Sequence, residues 1–132
     1  MKPNELLFDT TALIDIYRGV SGIKPTFDAI LNNKISPFVS VLTEAELWRG
    51  LHPEEVERHT LILKQFVLLP LTSDAARLAG TWMQKYSSTG LGWMDALISA
   101  TGKVAGLTVL TRDKKLAKVL SSETKFEIYE AG

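Results

Sequence analysis

Cysteine is absent from all 132 residues, which excludes disulfides, thiolate nucleophiles and cysteine-ligated zinc together and suits a reducing cytoplasm. Histidine is scarce. His52 and His59 are the two present, and Pro53 between them makes a poor spacing for one zinc ion, so they read as surface residues on a turn and a helix. No charge of one sign is in excess, because 15 Lys and Arg face 15 Asp and Glu. Attraction to RNA or to a membrane surface must then come from local clustering. No apolar run approaches the roughly 20 residues of a membrane span, and MKPNELLFD meets an acid before a signal-peptide core can form. Linkers rich in proline or glycine and internal repeats are missing too. The expectation is one soluble, cytoplasmic domain over residues 1–132 with no membrane partner.

What is present alternates between two patterns. Leu6–Phe8 is a short apolar strand ending at Asp9, and TTALIDIYRG carries apolar residues at helical spacing until Gly19 stops it. A helix from Thr26 to Asn33 precedes the β-rich ISPFVSV, and TEAELWRGL follows as a helix with Thr43 as N-cap and Gly50 as stop. Pro53 opens a charged helix running to about Gln65, FVLLPL is a strand, and Ser73 caps an Ala-rich helix. After a break at 87–92, a helix from Trp93 to Val104 ends at Gly106, LTVLT is a strand, Asp113–Leu120 is a helix and Phe126–Tyr129 a peripheral strand. Such alternation predicts an α/β sandwich with a mostly parallel sheet.

In open parallel sheets, functional groups gather beyond the carboxyl ends of the strands, where strand order reverses. Asp9 ends the first strand, Asp113 follows the fourth, Glu46 lies in the helix after the second, and Asp95 lies in the first turn of the helix before the fourth. Each acid has an ordinary explanation taken singly. Asp9 and Asp113 can cap helices, Asp95 can complement a helix dipole, and Glu46 completes a capping box with Thr43. A helical wheel does not choose between Glu44 and Glu46. The set is harder to explain, because LLFD, AELW, WMDALI and VLTRD embed carboxylates among core residues, where they repel one another unless a cation neutralises them. Oxygen-only ligation favours Mg²⁺ or Mn²⁺.

In order and spacing, FDTTALID, SVLTEAELWRG, WMDALISATG and LTRD resemble the four motifs of the PIN-domain family, over nearly the whole chain, and are most similar to those of VapC-type toxins from toxin–antitoxin pairs. The resemblance implies a three-layer α/β/α fold around a five-stranded sheet. It implies a Mg²⁺- or Mn²⁺-dependent endoribonuclease that leaves a 5′-phosphate and a 3′-hydroxyl. It carries the family's acids onto Asp9, Glu46, Asp95 and Asp113 as catalytic and metal-binding residues, favouring Glu46 over Glu44, and gives Thr111 a supporting role in orienting a carboxylate or water. It also implies a homodimer bound to a small antitoxin protein. Two departures stand out: Thr11 replaces a common Asn, and Trp93 replaces a common acid, which leaves one metal or two open.

An acidic pocket accepts RNA only if its rim is positive, and Arg49, Arg112, Lys114 and Lys115 are the RNA-binding candidates, with Lys118 and Arg18 behind them. Trp48 and Trp93 either stack on bases or serve as core or dimer anchors. Two rivals belong to other classes. A phosphatase or phosphoacceptor using Asp9 as nucleophile would want a further acid where Thr11 stands. A non-catalytic PIN-like binding module would keep the fold without the chemistry.

Overall fold

The computed structural model describes residues 4–132. The first strand, β1 (Asn4–Phe8), turns Leu6 and Phe8 to one face of a sheet and Leu7 to the other, and all three are buried. A strand covered on both faces needs a continuous apolar run rather than an alternating one, which is what LLF supplies. Full burial of Phe8 contributes on the order of 2 kcal/mol and anchors the residue next to Asp9.

Four more strands complete the sheet: β2 (Ile35–Ser40), β3 (Val67–Leu69), β4 (Thr108–Thr111) and β5 (Phe126–Ile128). Their order is β3-β2-β1-β4-β5, every pairing is parallel, and Leu7 stands between Phe38 and Val109. Pro37 is tolerated within β2 because β3 begins to pair only at Phe38. Since the chain moves outward from β1 to β3 and then returns to β4 on the opposite side, strand order reverses between β1 and β4.

Helices cover both faces, giving three layers. Residues of α1 (Thr10–Arg18), α2 (Lys24–Leu31), α3 (Val41–Arg49) and α4 (Val56–Leu63) share a core with Leu6, Phe8, Val39 and Leu110. On the other face, α5 (Ser73–Lys85), α6 (Trp93–Ala105) and α7 (Lys114–Val119) pack through Ala79, Trp82, Ala100 and Leu120, and Ile98 of α6 meets Leu7 and Val109. Gly102 sets the height of α6 above the sheet, because a Cβ there would lie 2.8 Å from Val109 Cγ2. Among the described residues no helix is long and apolar enough to cross a membrane.

Four expectations need correcting. Helix α3 starts at Val41 with Ser40 as its N-cap, whose hydroxyl accepts the Leu42 N–H at 3.0 Å, so Thr43 lies inside the helix and forms no capping box with Glu46. Apolar Val41 and Leu42 read as strand because they continue the strand's composition. Thr72, not Ser73, caps α5, and a 3₁₀ turn at Pro53–Glu55 precedes α4. His59 is not a surface residue: it is buried, and its Nδ1 lies 2.6 Å from the Tyr17 hydroxyl. Burial pushes Tyr17 up to about 12 and lowers His59, so both the phenol and the imidazole are held neutral. The second ring nitrogen, His59 Nε2, is buried without a hydrogen-bond partner.

Candidate active site

Asp9 is at once the end of β1 and the N-cap of α1. Its backbone N–H reaches Leu110 O of β4 at 3.2 Å, and its Oδ1 accepts the Ala12 N–H at 2.9 Å. Only 6% of the residue is exposed. Across the reversal point, Asp113 caps α7 by accepting the Leu116 N–H at 3.0 Å and is itself exposed. Thr111 joins the two: its hydroxyl hydrogen-bonds the Asp9 carboxylate, and its Oγ1 accepts the Asp113 N–H at 3.0 Å. The capping explanation therefore holds for both aspartates, but it occupies only part of each carboxylate.

Glu46 and Asp95 approach from the flanking helices. With Thr43 buried inside α3, the Glu46 carboxylate is free of any cap and accepts a 2.6 Å bond from Thr10 Oγ1, which also sits 3.0 Å from Thr43 Oγ1. Glu44 points elsewhere, its charge acting on Tyr17 and His59. Half-buried Asp95, in the first turn of α6, feels both Asp113 and Glu46.

Electrostatics tie the four together. Burial raises Asp9 to about 6, against the lowering effect of the Thr111 and Ala12 hydrogen bonds, and the charges of Asp95 and Asp113 add to the rise. Asp95 is raised as well, first by burial and then by Asp113 and Glu46. A cavity of about 200 Å³ opens beside Asp95 and Asp113, lined by Thr89, Gly90, Leu91 and Lys115. Glu46 lines a separate cavity of about 220 Å³ with Tyr17 and Arg18. Among the described residues, no three Asp, Glu or His side chains already stand close enough to hold one metal ion. The donor set nevertheless fits a hard divalent cation: oxygen ligands only, mutually repelling, two of them raised by burial.

The predicted rim divides. Lys115 borders the cavity, and Arg49, Arg18 and Lys118 end their helices exposed to solvent. Arg112 instead turns toward Asp15, its Nε 3.5 Å from Oδ2, and Lys114 pairs with Glu130 at 2.8 Å. Trp48 and Trp93 are 48% and 56% exposed, which removes the core reading for both.

Sequence reasoning missed Asp15. This α1 residue is 1% exposed and accepts the Tyr129 hydroxyl at 2.6 Å as well as the Arg112 contact. The available signal was an acid within the apolar stripe of α1, between buried Ala12, Leu13 and Ile16.

A carboxylate cluster at the switch point of an all-parallel, two-faced sheet defines a class of α/β protein that binds or transforms ligands beyond the strand ends. Comparison with known proteins narrows that class. The PIN domain family matches residues 6–120, and the chain belongs to that family. Ribonuclease VapC19 of Mycobacterium tuberculosis is 30% identical over 107 residues, covering 80% of this chain and 86% of the relative. Ribonuclease VapC10 of the same organism is 33% identical over 109 residues, covering 80% of each. A toxin–antitoxin complex from Klebsiella pneumoniae contains a chain similar in structure, with a TM-score of 0.72 at 25% identity over 92% of this chain and 95% of that one.

Proposed function

We propose that this protein is a Mg²⁺- or Mn²⁺-dependent endoribonuclease and the toxin of a VapBC-type toxin–antitoxin pair. One observation carries the reading: four carboxylates from four separate elements lie within electrostatic reach where strand order reverses, Asp9 feeling Asp95 and Asp113 and Asp95 feeling Asp113 and Glu46. Two of them, Asp9 and Asp95, are pushed up by burial and by each other's neighbours. Buried like charges are costly, and a divalent cation is the ligand that converts the cost into affinity.

Asp9, Asp95 and Asp113 would hold the metal, with Glu46 as a fourth oxygen donor. Bound there, Mg²⁺ or Mn²⁺ supplies Lewis-acid activation of the phosphate and of the attacking water. Of the four, Asp9 is buried, Asp95 and Glu46 are half-buried and Asp113 is exposed. Thr111 orients Asp9 by donating to its carboxylate, and Thr10 does the same for Glu46. Lys115, beside the cavity that Asp95 and Asp113 line, offsets the repulsion of RNA by the acids. Arg49 and Arg18 extend the positive rim on the α1 and α3 side. Likeness to the Klebsiella complex supports an antitoxin partner. Exposed Leu61, Val67 and Leu68 offer an apolar surface for the second copy of a homodimer.

The test is cleavage of single-stranded and structured RNA by the wild type and by Asp95→Asn, with Mn²⁺ and with chelator. Cleavage confined to the wild type with Mn²⁺ is the expected result; equal cleavage by both proteins removes the site. A non-catalytic binding module is favoured by a single observation, the lack among the described residues of three acids gathered at ligand distance. It predicts RNA binding without Mn²⁺ uptake.

A further inference from the structure

Behind the carboxylate cluster lies a second buried acid that the proposed chemistry does not use. Asp15 sits on the sheet side of α1 with 1% of its surface exposed, and its Oδ2 receives two donors from opposite ends of the chain's last third. Tyr129, just past β5, donates its hydroxyl at 2.6 Å, and Arg112, in the turn after β4, approaches with Nε at 3.5 Å. Tyr129 is also held by its backbone, whose N–H reaches Thr111 O at 3.2 Å. Burial and the Asp15 carboxylate push the Tyr129 hydroxyl far up, so it remains a donor, and the charge of Asp9 adds to that rise. The cluster thus lies within electrostatic reach of Asp9. Arg112 stands between Thr111, which bonds the Asp9 carboxylate, and Asp113.

We propose that Asp15 is a positioning residue of the carboxylate site: by capturing Arg112 and Tyr129 it fixes the Thr111–Asp113 turn against α1 and so sets where Asp113 stands relative to Asp9. The reasoning is one of reach and cost. Asp113 is exposed and sits in a turn, where backbone freedom is greatest. A buried carboxylate demands partners, and a demand of this kind restrains the segment that satisfies it. The restraint falls on the residue between Thr111 and Asp113. Arg112 is thereby spent on Asp15 and is not a cation of the RNA rim. This inference rests on the nuclease reading for its kinetic consequence but not for its structural one.

The experiment combines Asp15→Asn, Arg112→Gln and the double variant with three readouts well below each protein's melting temperature: amide exchange at Asp113, Mn²⁺ affinity, and kcat and KM for RNA cleavage. Asp15→Asn keeps an acceptor for Tyr129 and removes the charge that holds Arg112, which makes it the gentlest probe. Expected are exchange at the Asp113 amide faster by about tenfold, Mn²⁺ affinity weaker by about fivefold and kcat lower by about tenfold with KM unchanged. Arg112→Gln should match it, and the double variant should add little beyond either single. If Arg112→Gln raises KM alone, it is an RNA contact and the proposal fails. Additive effects overturn it too, as does a lower melting temperature with exchange, affinity and kcat unchanged, which is what a merely structural residue gives. A wild type that neither binds Mn²⁺ nor cuts RNA removes the nuclease reading, and amide exchange at Asp113 then decides the positioning of the turn by itself. Failure of the inference alone looks different: the wild type binds and cuts, and the variants match it.

Discussion

Asp9 and Asp15 make an instructive pair. Both are carboxylates of the same short stretch of chain, one capping α1 and one inside it, and both are almost fully buried. Their partners differ. Asp15 faces a tyrosine hydroxyl and a guanidinium. Asp9 faces a threonine hydroxyl and a backbone N–H on one side, and the charges of Asp95 and Asp113 on the other. Burial by itself therefore does not mark a functional acid. A buried carboxylate whose surroundings supply donors belongs to the architecture, whereas one whose surroundings supply more negative charge belongs to a site that needs a cation.

The sharpest way to break this comparison is to neutralise each acid and compare signs. Asp9→Asn should reduce Mn²⁺-dependent RNA cleavage by about 10³-fold, of the order seen when a principal electrostatic group is removed from an active site. The same variant should be more stable than the wild type at pH 7 without metal. A native value of about 6 against an ordinary 3.8 amounts to up to about 3 kcal/mol of strain relieved by an amide that still caps the helix. Urea melts with chelator measure it, and a destabilised Asp9→Asn would place that residue in the architecture with Asp15.

Asp15→Ala should move the other way. Removing the acceptor leaves the Tyr129 hydroxyl unpaired beside the core and Arg112 without its counter-ion, at a cost of about 3 kcal/mol. The same melts at pH 7 report it. A change below about 0.5 kcal/mol would mean that the clasp is already solvated, and the contrast with Asp9 would collapse.

The two acids also differed in how far the sequence exposed them. Asp9 ends an apolar run, so its position at a strand terminus could be read directly, and the alternation of patterns located Asp113, Asp95 and the parallel sheet in the same way. Helical pattern alone left Glu46 as one of two candidates with Glu44, and the likeness of the motifs favoured it; its supposed capping box failed because Val41 and Leu42 have strand-like composition and the true cap, Ser40, lies at the strand end. Asp15, Tyr129 and Arg112 could not be joined, since they come from distant parts of the chain and meet only when β5 pairs beside β4. His59 failed for a similar reason. Its burial depends on Tyr17 and on the edge of Trp48, whose ring lies 5.0 Å away. Local pattern reveals which residue ends an element; it does not reveal which distant side chain will satisfy a polar group.

The raised value of Asp9 also predicts how stability depends on pH. The folded chain keeps that proton up to about pH 6, while the unfolded chain releases it near 3.8, so the folded state carries the extra proton in between. The contribution of Asp9 to metal-free stability is therefore greatest on the acid side and is lost as pH rises from about 3.8 through 6, by up to about 3 kcal/mol, with Asp95 acting in the same direction. Glu123, lowered by its bonds to Lys85 and Tyr86, opposes this, but its contribution is lost only as pH falls below 4.5. His59, lowered by burial, acts in the opposite sense over the same range, so the effect is isolated as the difference between wild type and Asp9→Asn denatured between pH 4.5 and 7.5. Saturating Mn²⁺ should flatten or reverse the slope, because the cation competes with the proton for the same oxygens. A wild type and an Asp9→Asn variant with the same metal-free slope would contradict the burial of an ionising Asp9.

The smallest effect distinguishes cations that face the acids from cations that face other partners. Lys115 borders the cavity with Asp95 and Asp113, whereas its neighbour Lys114 is held by Glu130 on the exposed surface. Lys115→Gln should weaken RNA binding, lower the salt dependence of binding by about one unit of slope and leave the chain's stability unchanged. Lys114→Gln should leave the salt slope within error and alter stability by less than about 1 kcal/mol, because exposed ion pairs contribute little. RNA binding by Asp95→Asn as the common background, titrated at several salt concentrations, compares the two without cleavage. Equal losses would mean that the phosphate backbone runs along the whole face of α7 and that the Glu130 pair opens to receive it. Unequal losses confine the RNA to the side where Asp95 and Asp113 line the cavity.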